Sequence, residues 1–340
     1  MTTERERIAA RLADEGQTAA LCAEADAIRR REFGAVVHLR AIVEFSNHCR
    51  GSCLYCGINR DHRELSRYRL AWPEVLAAAR RAAARGLRTI VLQSGEDPEL
   101  DRAGLARTVS AIKAELGAAV TLSCGEWPRE TYRRWREAGA DRYLLKLETA
   151  DEELYRRMHP GMSQANRRRC LDDLFDLGYE VGSGCLVGLP GQTAASLALD
   201  ILDFAARPYD MVAVGPLIPA NGTALAELPK PPADLALRMV ALTRLYAPRA
   251  HIPATTALCA LDPEARRRAL TAGANVVMIN FTPPEAAPRY GIYQRAACGS
   301  TDNCLDCMTR TFAELGLTVA DDAGSGVRSR AGATDAAHGT

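Results

Sequence analysis

The chain has 340 residues, 47% of them hydrophobic, enough for a full core in one large domain or two small ones. Lys plus Arg number 43 and Asp plus Glu 42, so neither a basic nucleic-acid surface nor an acidic solvating tail is indicated. Residues 1–20 alternate charges without an apolar stretch, and no uncharged apolar run approaches the roughly 18 residues of a membrane helix; a cytoplasmic protein with no nucleic-acid or membrane partner is the expectation.

Along the chain, residues 3–33 read as one or two amphipathic helices, with Ile8, Leu12, Leu21 and Ile28 on an apolar face. A regular alternation follows. Strands are predicted at 41–46, 89–94, 119–124, 142–148, 180–189, 211–217, 251–257 and 275–280. Helices are predicted at 73–86, 101–116, 128–138, 151–158, 164–177, 193–206, 233–246 and 262–272. The strand interiors are apolar on both faces, as in a buried parallel sheet. Eight such units predict an α/β fold, a closed (β/α)8 TIM barrel over 35–295, with an open doubly wound sheet as the alternative. Residues 1–34 form an N-terminal helical segment and 296–320 a cysteine-containing C-terminal extension. Residues 321–340 lack apolar periodicity and are expected to be disordered.

Catalytic groups of such barrels sit at the C-terminal ends of the strands. Polar residues gather there: Ser94 to Asp97, Ser123 and Glu126, Glu148 and Thr149, Pro219 to Thr223, Thr255 and Thr256, and Asn280. Six of the eleven cysteines fall in two tight groups; Cys22, Cys124, Cys170, Cys185 and Cys259 read as small buried hydrophobes. The first group, EFSNHCRGSCLYCGINR, spaces Cys49, Cys53 and Cys56 as Cys-x3-Cys-x2-Cys directly after the first strand of the barrel. Three thiolates on a short loop suit three irons of a 4Fe-4S cube and leave the fourth open. A structural zinc ion would want a fourth ligand, which the adjacent His48 is poorly placed to supply. His48, His62, His159 and His251 read as packing or hydrogen-bonding residues.

That spacing, in that place, resembles the radical S-adenosylmethionine (SAM) superfamily. Longer segments resemble HydE, the family of FeFe-hydrogenase maturases, over residues 35–313: EFSNHCRGSCLYCGINRDH, RYRL, TIVLQSGEDP, GEWPRETYRRWREAGADRYLL, ELYRRMHPGMS, LVGLPGQT, VGPLIP, HIPATTAL and AGANVVMIN. Biotin synthase and the methylornithine synthase PylB are related branches. The resemblance implies a 4Fe-4S cluster on Cys49, Cys53 and Cys56, and reductive cleavage of SAM to a 5′-deoxyadenosyl radical. It places Tyr55 against adenine, Ser94, Gly95 and Glu96 at the SAM amino group, Ser123 nearby, and Glu148 and Arg167 at the ribose and carboxylate. Thr255, Thr256, Asn280, Tyr290 and Tyr293 would line a chamber for a small organometallic or sulfur-containing substrate. Partners would be the maturases HydG and HydF and an electron donor such as flavodoxin or ferredoxin.

The chain departs from the family pattern at Lys146-Leu147, where Arg-His is common, and at Ala220-Asn221-Gly222. Lys cannot reproduce a bidentate guanidinium contact. These changes raise a second expectation, a related enzyme acting on another small molecule such as an amino acid. Use of the cysteines for scaffolding or cluster carriage is the non-enzymatic alternative. The second group, Cys298, Cys304 and Cys307, is spaced Cys-x5-Cys-x2-Cys and resembles the auxiliary 2Fe-2S or 4Fe-4S site of some family members.

Overall fold

The computed structural model of the protein describes residues 2–293 and 301–326. Among the described residues there are eight strands: β1 (Val36–Ser46), β2 (Thr89–Ser94), β3 (Ala119–Ser123), β4 (Arg142–Leu144), β5 (Glu180–Val187), β6 (Met211–Pro216), β7 (Val276–Asn280) and the short β8 (Thr318–Val319). Strands β1 to β7 run in the order β6-β5-β4-β3-β2-β1-β7, every pair parallel. Residues 251–253 close the ring. His251 bridges Met211 on β6 and Pro253 bridges Val276 on β7, both in parallel register. The result is the predicted (β/α)8 barrel, with the 251–253 segment in the place of one strand. Right-handed crossovers with amphipathic helices are what fold parallel neighbours into this shape.

The N-terminal helices Glu4–Ala13 and Thr18–Phe33 lie outside the ring and bury Ile8, Leu12, Leu21 and Ala25. Arg238, on the helix Ala233–Tyr246, donates to the carbonyl of Leu12 at 2.8 Å and to Thr18 Oγ1 at 2.8 Å, which ties this layer to the barrel wall. Two helices that matter for the site start at side-chain caps. Asp151 accepts from Leu154 N at 3.0 Å and Ser163 from Asn166 N at 3.2 Å.

Several boundaries differ from the sequence reading. β1 begins at Val36 rather than 41, because His38 and Arg40 turn into the barrel instead of into solvent. The β4 ladder stops at Leu144 rather than 148, where the backbone leaves regular extension. The stretch predicted as strand to 257 becomes a helix, Thr256–Leu261, directly after Thr255.

The expected disorder does not hold for residues 321–326; residues 327–340 lie outside those described. Residues 323–326 form a strap across the barrel floor. Ala323 O accepts from Thr89 Oγ1 at 3.0 Å and from Arg142 Nη2 at 3.0 Å. Gly324 O accepts from Arg142 Nη2 at 3.1 Å and Arg40 Nη2 at 3.3 Å. Arg142 also pairs with buried Glu180 at 2.5 Å. Burial, helped by Arg142, pulls the Arg40 guanidinium down to about 9. Two guanidiniums enclosed with one carboxylate need these carbonyls, since an unpaired buried charge is strongly destabilising.

A chain ending at Ala320 should therefore lose stability by about 1–3 kcal/mol for each guanidinium stripped of its acceptor. Denaturant unfolding measures this, and an unchanged midpoint would show that the strap carries no weight.

Candidate active site

The cysteine loop leaves β1 at Ser46 and lies over the C-terminal mouth of the barrel. It is pinned on three sides. Arg50 N donates to Glu96 O at 2.9 Å, Gly57 N to Ile292 O at 3.0 Å, and Leu54 N to Met158 O at 3.0 Å. Arg67 reaches underneath and donates to the carbonyls of Asn47 at 2.6 Å and Ile58 at 2.8 Å. Gly95 lets the end of β2 approach this loop. A Cβ there would collide with the His48 carbonyl and stand 2.8 Å from Cys49 Cβ.

Cys49, Cys53 and Cys56 are half-buried and carry free thiols. The sulfurs of Cys49 and Cys53 flank Gly51, at 3.4 and 3.6 Å from the position a Cβ would take there, with Met162 Sδ at 3.7 Å. Burial pushes the Cys53 thiol up to about 12 and raises Cys49 and Cys56 as well; Cys53 and Cys49 add to the shift at Cys56. Deprotonating one therefore opposes deprotonating the next unless cations are bound between them. Among the described residues no three His, Cys, Asp or Glu side chains gather as they would around a single metal ion.

Beside Cys53 lies a buried polar cluster. Arg167 Nε donates to Glu126 Oε1 at 2.5 Å, Nη1 to Lys146 O at 2.7 Å, and Nη2 to Glu96 Oε1 at 3.3 Å. Asn166 holds the other oxygen of Glu126 at 2.5 Å, and Arg50 Nε reaches Glu96 Oε2 at 3.2 Å. Burial raises the Glu96 carboxyl, Glu126 adds to the rise, and Arg167 and Arg50 oppose it. Gly125, at φ +80°, makes room for Glu96, whose side chain a Cβ would overlap.

On the β4 side, Glu148 holds φ +70°, the single non-glycine residue in the left-handed region among those described. Such a conformation costs about 1–3 kcal/mol and persists where neighbours enforce it. Glu148 N donates to Gly184 O at 2.9 Å and Leu186 N to Glu148 O at 2.9 Å, so β5 enforces it from both sides. Lys146 Nζ stands 2.8 Å from Glu148 Oε2.

Tyr55, in the loop, meets His159 at 2.7 Å from hydroxyl to Nε2. His159 Nδ1 faces the Tyr155 carbonyl at 2.9 Å, and its ring stacks on the Tyr155 ring at 4.1 Å. A carbonyl only accepts, so Nδ1 carries the proton and Nε2 accepts from Tyr55. Burial pulls His159 down to about 4, which keeps the ring neutral.

The structure thus brings together Cys49, Cys53, Cys56, Tyr55, Gly95, Glu96, Glu148 and Arg167. Ser94 Oγ turns to the Gly95 carbonyl at 2.7 Å, and Ser123 is half-buried at the end of β3. The residues read as chamber-lining divide. Asn280 donates to Glu44 Oε2 at 3.1 Å, and Tyr290 OH accepts from Gln93 at 2.9 Å. Thr255 and Thr256 stand at the start of the helix Thr256–Leu261, which packs against β6, Thr255 Oγ1 buried without a hydrogen-bond partner, and Tyr293 is half-buried. In the second cysteine group, Cys304 packs against the core and Cys307 is exposed on the helix Thr301–Glu314, whereas Cys298 lies outside the described residues. Glu44, Gln93, Tyr155, His159 and Asn166 were missed as site residues. Tyr155 and His159, four apart, carried a legible signal, because that spacing stacks two rings on one helix face.

A parallel (β/α)8 barrel with three thiols and a buried carboxylate–guanidinium cluster at its C-terminal mouth is the architecture of radical SAM enzymes, and the pattern of the Radical SAM superfamily matches residues 43–204. Within it the chain belongs to the HydE family: it is 47% identical over 92% of its length to the FeFe hydrogenase maturase subunit HydE of Thermotoga maritima, covering 90% of that protein. It is 32% identical to 3-methylornithine synthase of Methanosarcina acetivorans, over 74% of this chain and 71% of that one. The crystal structure of methylornithine synthase (PylB) superposes with a TM-score of 0.81 at 28% identity, covering 94% of each chain. The structure of HydG from Carboxydothermus hydrogenoformans shares the fold at TM-score 0.78 and 21% identity, covering 93% of this chain and 75% of that one. Membership implies a 4Fe-4S cluster and SAM. The residues fit both: one loop carries three free thiols, each acting electrostatically on another, and charged donors and acceptors for an amino acid lie beside Cys53. No helix among the described residues is long and apolar enough to cross a membrane.

Gly95→Ala should leave the barrel folded but displace the loop. Far-UV circular dichroism should be preserved while iron bound on anaerobic reconstitution falls several-fold; full iron loading would contradict the crowding argument.

Proposed function

We propose that this protein is a HydE-type maturase acting on a small organometallic or sulfur-containing substrate in assembly of the FeFe-hydrogenase cofactor. The observation that carries the reading is the juxtaposition of Cys49, Cys53 and Cys56 with the Arg167–Glu126–Glu96 cluster, in a chain 47% identical to a HydE. When bound, a reduced 4Fe-4S cluster and SAM supply a one-electron cleavage that yields a 5′-deoxyadenosyl radical.

The chain's residues then have separable tasks. Cys49, Cys53 and Cys56 hold the cluster. Arg167, fixed by Glu126 and by the Lys146 carbonyl, directs Nη2 towards the methionyl carboxylate. Ser94, Gly95 and Glu96 receive the amino group, Glu96 giving up part of its contact with Arg167. Glu148, steadied by Lys146, accepts the ribose hydroxyls, with Ser123 nearby. Tyr55 covers the adenine, its hydroxyl oriented by His159. Thr255, Thr256, Asn280, Tyr290 and Tyr293 line the substrate chamber, and the floor strap closes the far end against water. HydG, HydF and an acidic electron carrier of the flavodoxin or ferredoxin kind are the partners, and the cytoplasm is the location.

Cys298, Cys304 and Cys307 form an auxiliary 2Fe-2S or 4Fe-4S site. The half-buried Cys304, packed on the core, supports an anchored position for it. A second reading, a related enzyme acting on an amino acid, is favoured by Lys146, whose ammonium pairs with Glu148 where the family pattern has a guanidinium, and by the 32% identity to 3-methylornithine synthase.

Cys53→Ala should abolish SAM cleavage to 5′-deoxyadenosine under anaerobic reduction, whereas Cys304→Ala should retain it within about twofold. Retained cleavage in the first variant removes the cluster assignment. Co-expression with HydG, HydF and a hydrogenase subunit, with this protein the sole HydE source, separates the two readings. Active hydrogenase supports the maturase, and its absence alongside intact SAM cleavage supports the amino-acid enzyme.

A further inference from the structure

Segment 152–162 is docked on the cysteine loop almost residue for residue. Leu54 N donates to Met158 O at 3.0 Å, Ser52 Oγ to Pro160 O at 2.8 Å, Tyr55 OH to His159 Nε2 at 2.7 Å, and Cys53 Sγ lies 3.7 Å from Met162 Sδ. Tyr155 sits at the centre of that segment. It is 1% exposed, and its ring is clamped by His159, stacked at 4.1 Å and 19° between planes. Its hydroxyl is buried without a hydrogen-bond partner. A clamped phenol cannot swing out to find water, and a buried hydroxyl left unmatched marks a place completed by something else.

We propose that the Tyr155 hydroxyl donates a hydrogen bond to the methionyl carboxylate of SAM, making with Arg167 a two-point clamp on that group. This deepens the functional reading above and rests on it. Two further observations support the choice of carboxylate. Burial raises the Tyr155 phenol, and the charges of Arg167, Glu126, Cys53 and Glu96, the groups around the expected methionyl end, act on it as well. Arg167 has Nε and Nη1 committed to Glu126 at 2.5 Å and to Lys146 O at 2.7 Å, whereas its Nη2 edge reaches Glu96 only at 3.3 Å, the contact that an incoming carboxylate displaces most readily. A carboxylate binding that edge has a second oxygen to satisfy, and a phenol O–H is a charge-assisted donor suited to it. The stacked His159 also couples Tyr155 to Tyr55, so the two ends of the cofactor are held by one docked segment.

The test is Tyr155→Phe, which keeps the ring and its stacking. Binding to the reconstituted protein is measured by calorimetry with three probes: SAM, S-adenosylhomocysteine, which keeps the carboxylate, and 5′-methylthioadenosine, which lacks the amino acid. The expected result is about a tenfold or greater loss for the first two, the size of one hydrogen bond to a charged group, and no change for the third. The melting temperature of the metal-free variant should equal or exceed that of the wild type, because the hydroxyl has no partner to lose. Equal losses for all three probes, no loss for any, or a lowered melting temperature would each overturn the assignment. Wild-type protein that failed to bind SAM would instead defeat the functional reading itself.

Discussion

Three thiols carried on one partly buried loop are the constraint around which this molecule is arranged. Burial raises each of them, to about 12 at Cys53, and as thiolates they repel one another. Left alone, the loop prefers to stay protonated. In the proposed cluster, iron would reverse that preference by supplying positive charge between the sulfurs, coupling cluster insertion to proton release. The loop must therefore be held in shape before the metal arrives. The backbone bonds to Glu96, Ile292 and Met158, together with Arg67 beneath, do this.

The barrel serves this need at both ends. At the mouth, the strand ends deliver Glu96, Glu126 and Glu148 from three successive strands onto one side of the loop, and Arg167 arrives from the helix after β4 to join them. Charges of both signs are paired there, and in the proposed function an amino acid with an ammonium and a carboxylate takes over some of the contacts. At the floor, the carbonyls of the strap accept from Arg40 and Arg142, so backbone closes that end of the interior. The strained turn at Glu148 belongs to the same design. A regular β4 would send that side chain elsewhere, and the bonds that Glu148 donates to Gly184 and accepts from Leu186 hold the kink.

Much of this was legible in the sequence, for identifiable reasons. Thiolate spacing on a loop is nearly independent of tertiary context, so Cys49, Cys53 and Cys56 could be read directly. Apolar strands recur with amphipathic helices at a steady interval, and β2 and the helix Ala233–Tyr246 fall where predicted. What escaped depends on partners remote in the chain. The first strand is predicted to begin only at 41, because what buries Arg40 is remote: one carbonyl that accepts from it lies 284 positions away. The strap read as disordered because its bonds are made by its backbone, which composition does not reveal. Glu148 hid its left-handed backbone inside an ordinary apolar run. Tyr155 and His159 were passed over singly, although their spacing, four apart on one helix face, could have paired them.

The account rests on the three cysteines leaving one iron of a cube available to the cofactor. Mössbauer spectroscopy of the 57Fe-reconstituted protein, before and after addition of SAM, tests this most directly. One iron in four should change its isomer shift towards higher coordination while the other three stay unchanged. A spectrum indifferent to SAM, or protein that takes up stoichiometric zinc and no iron, would contradict it.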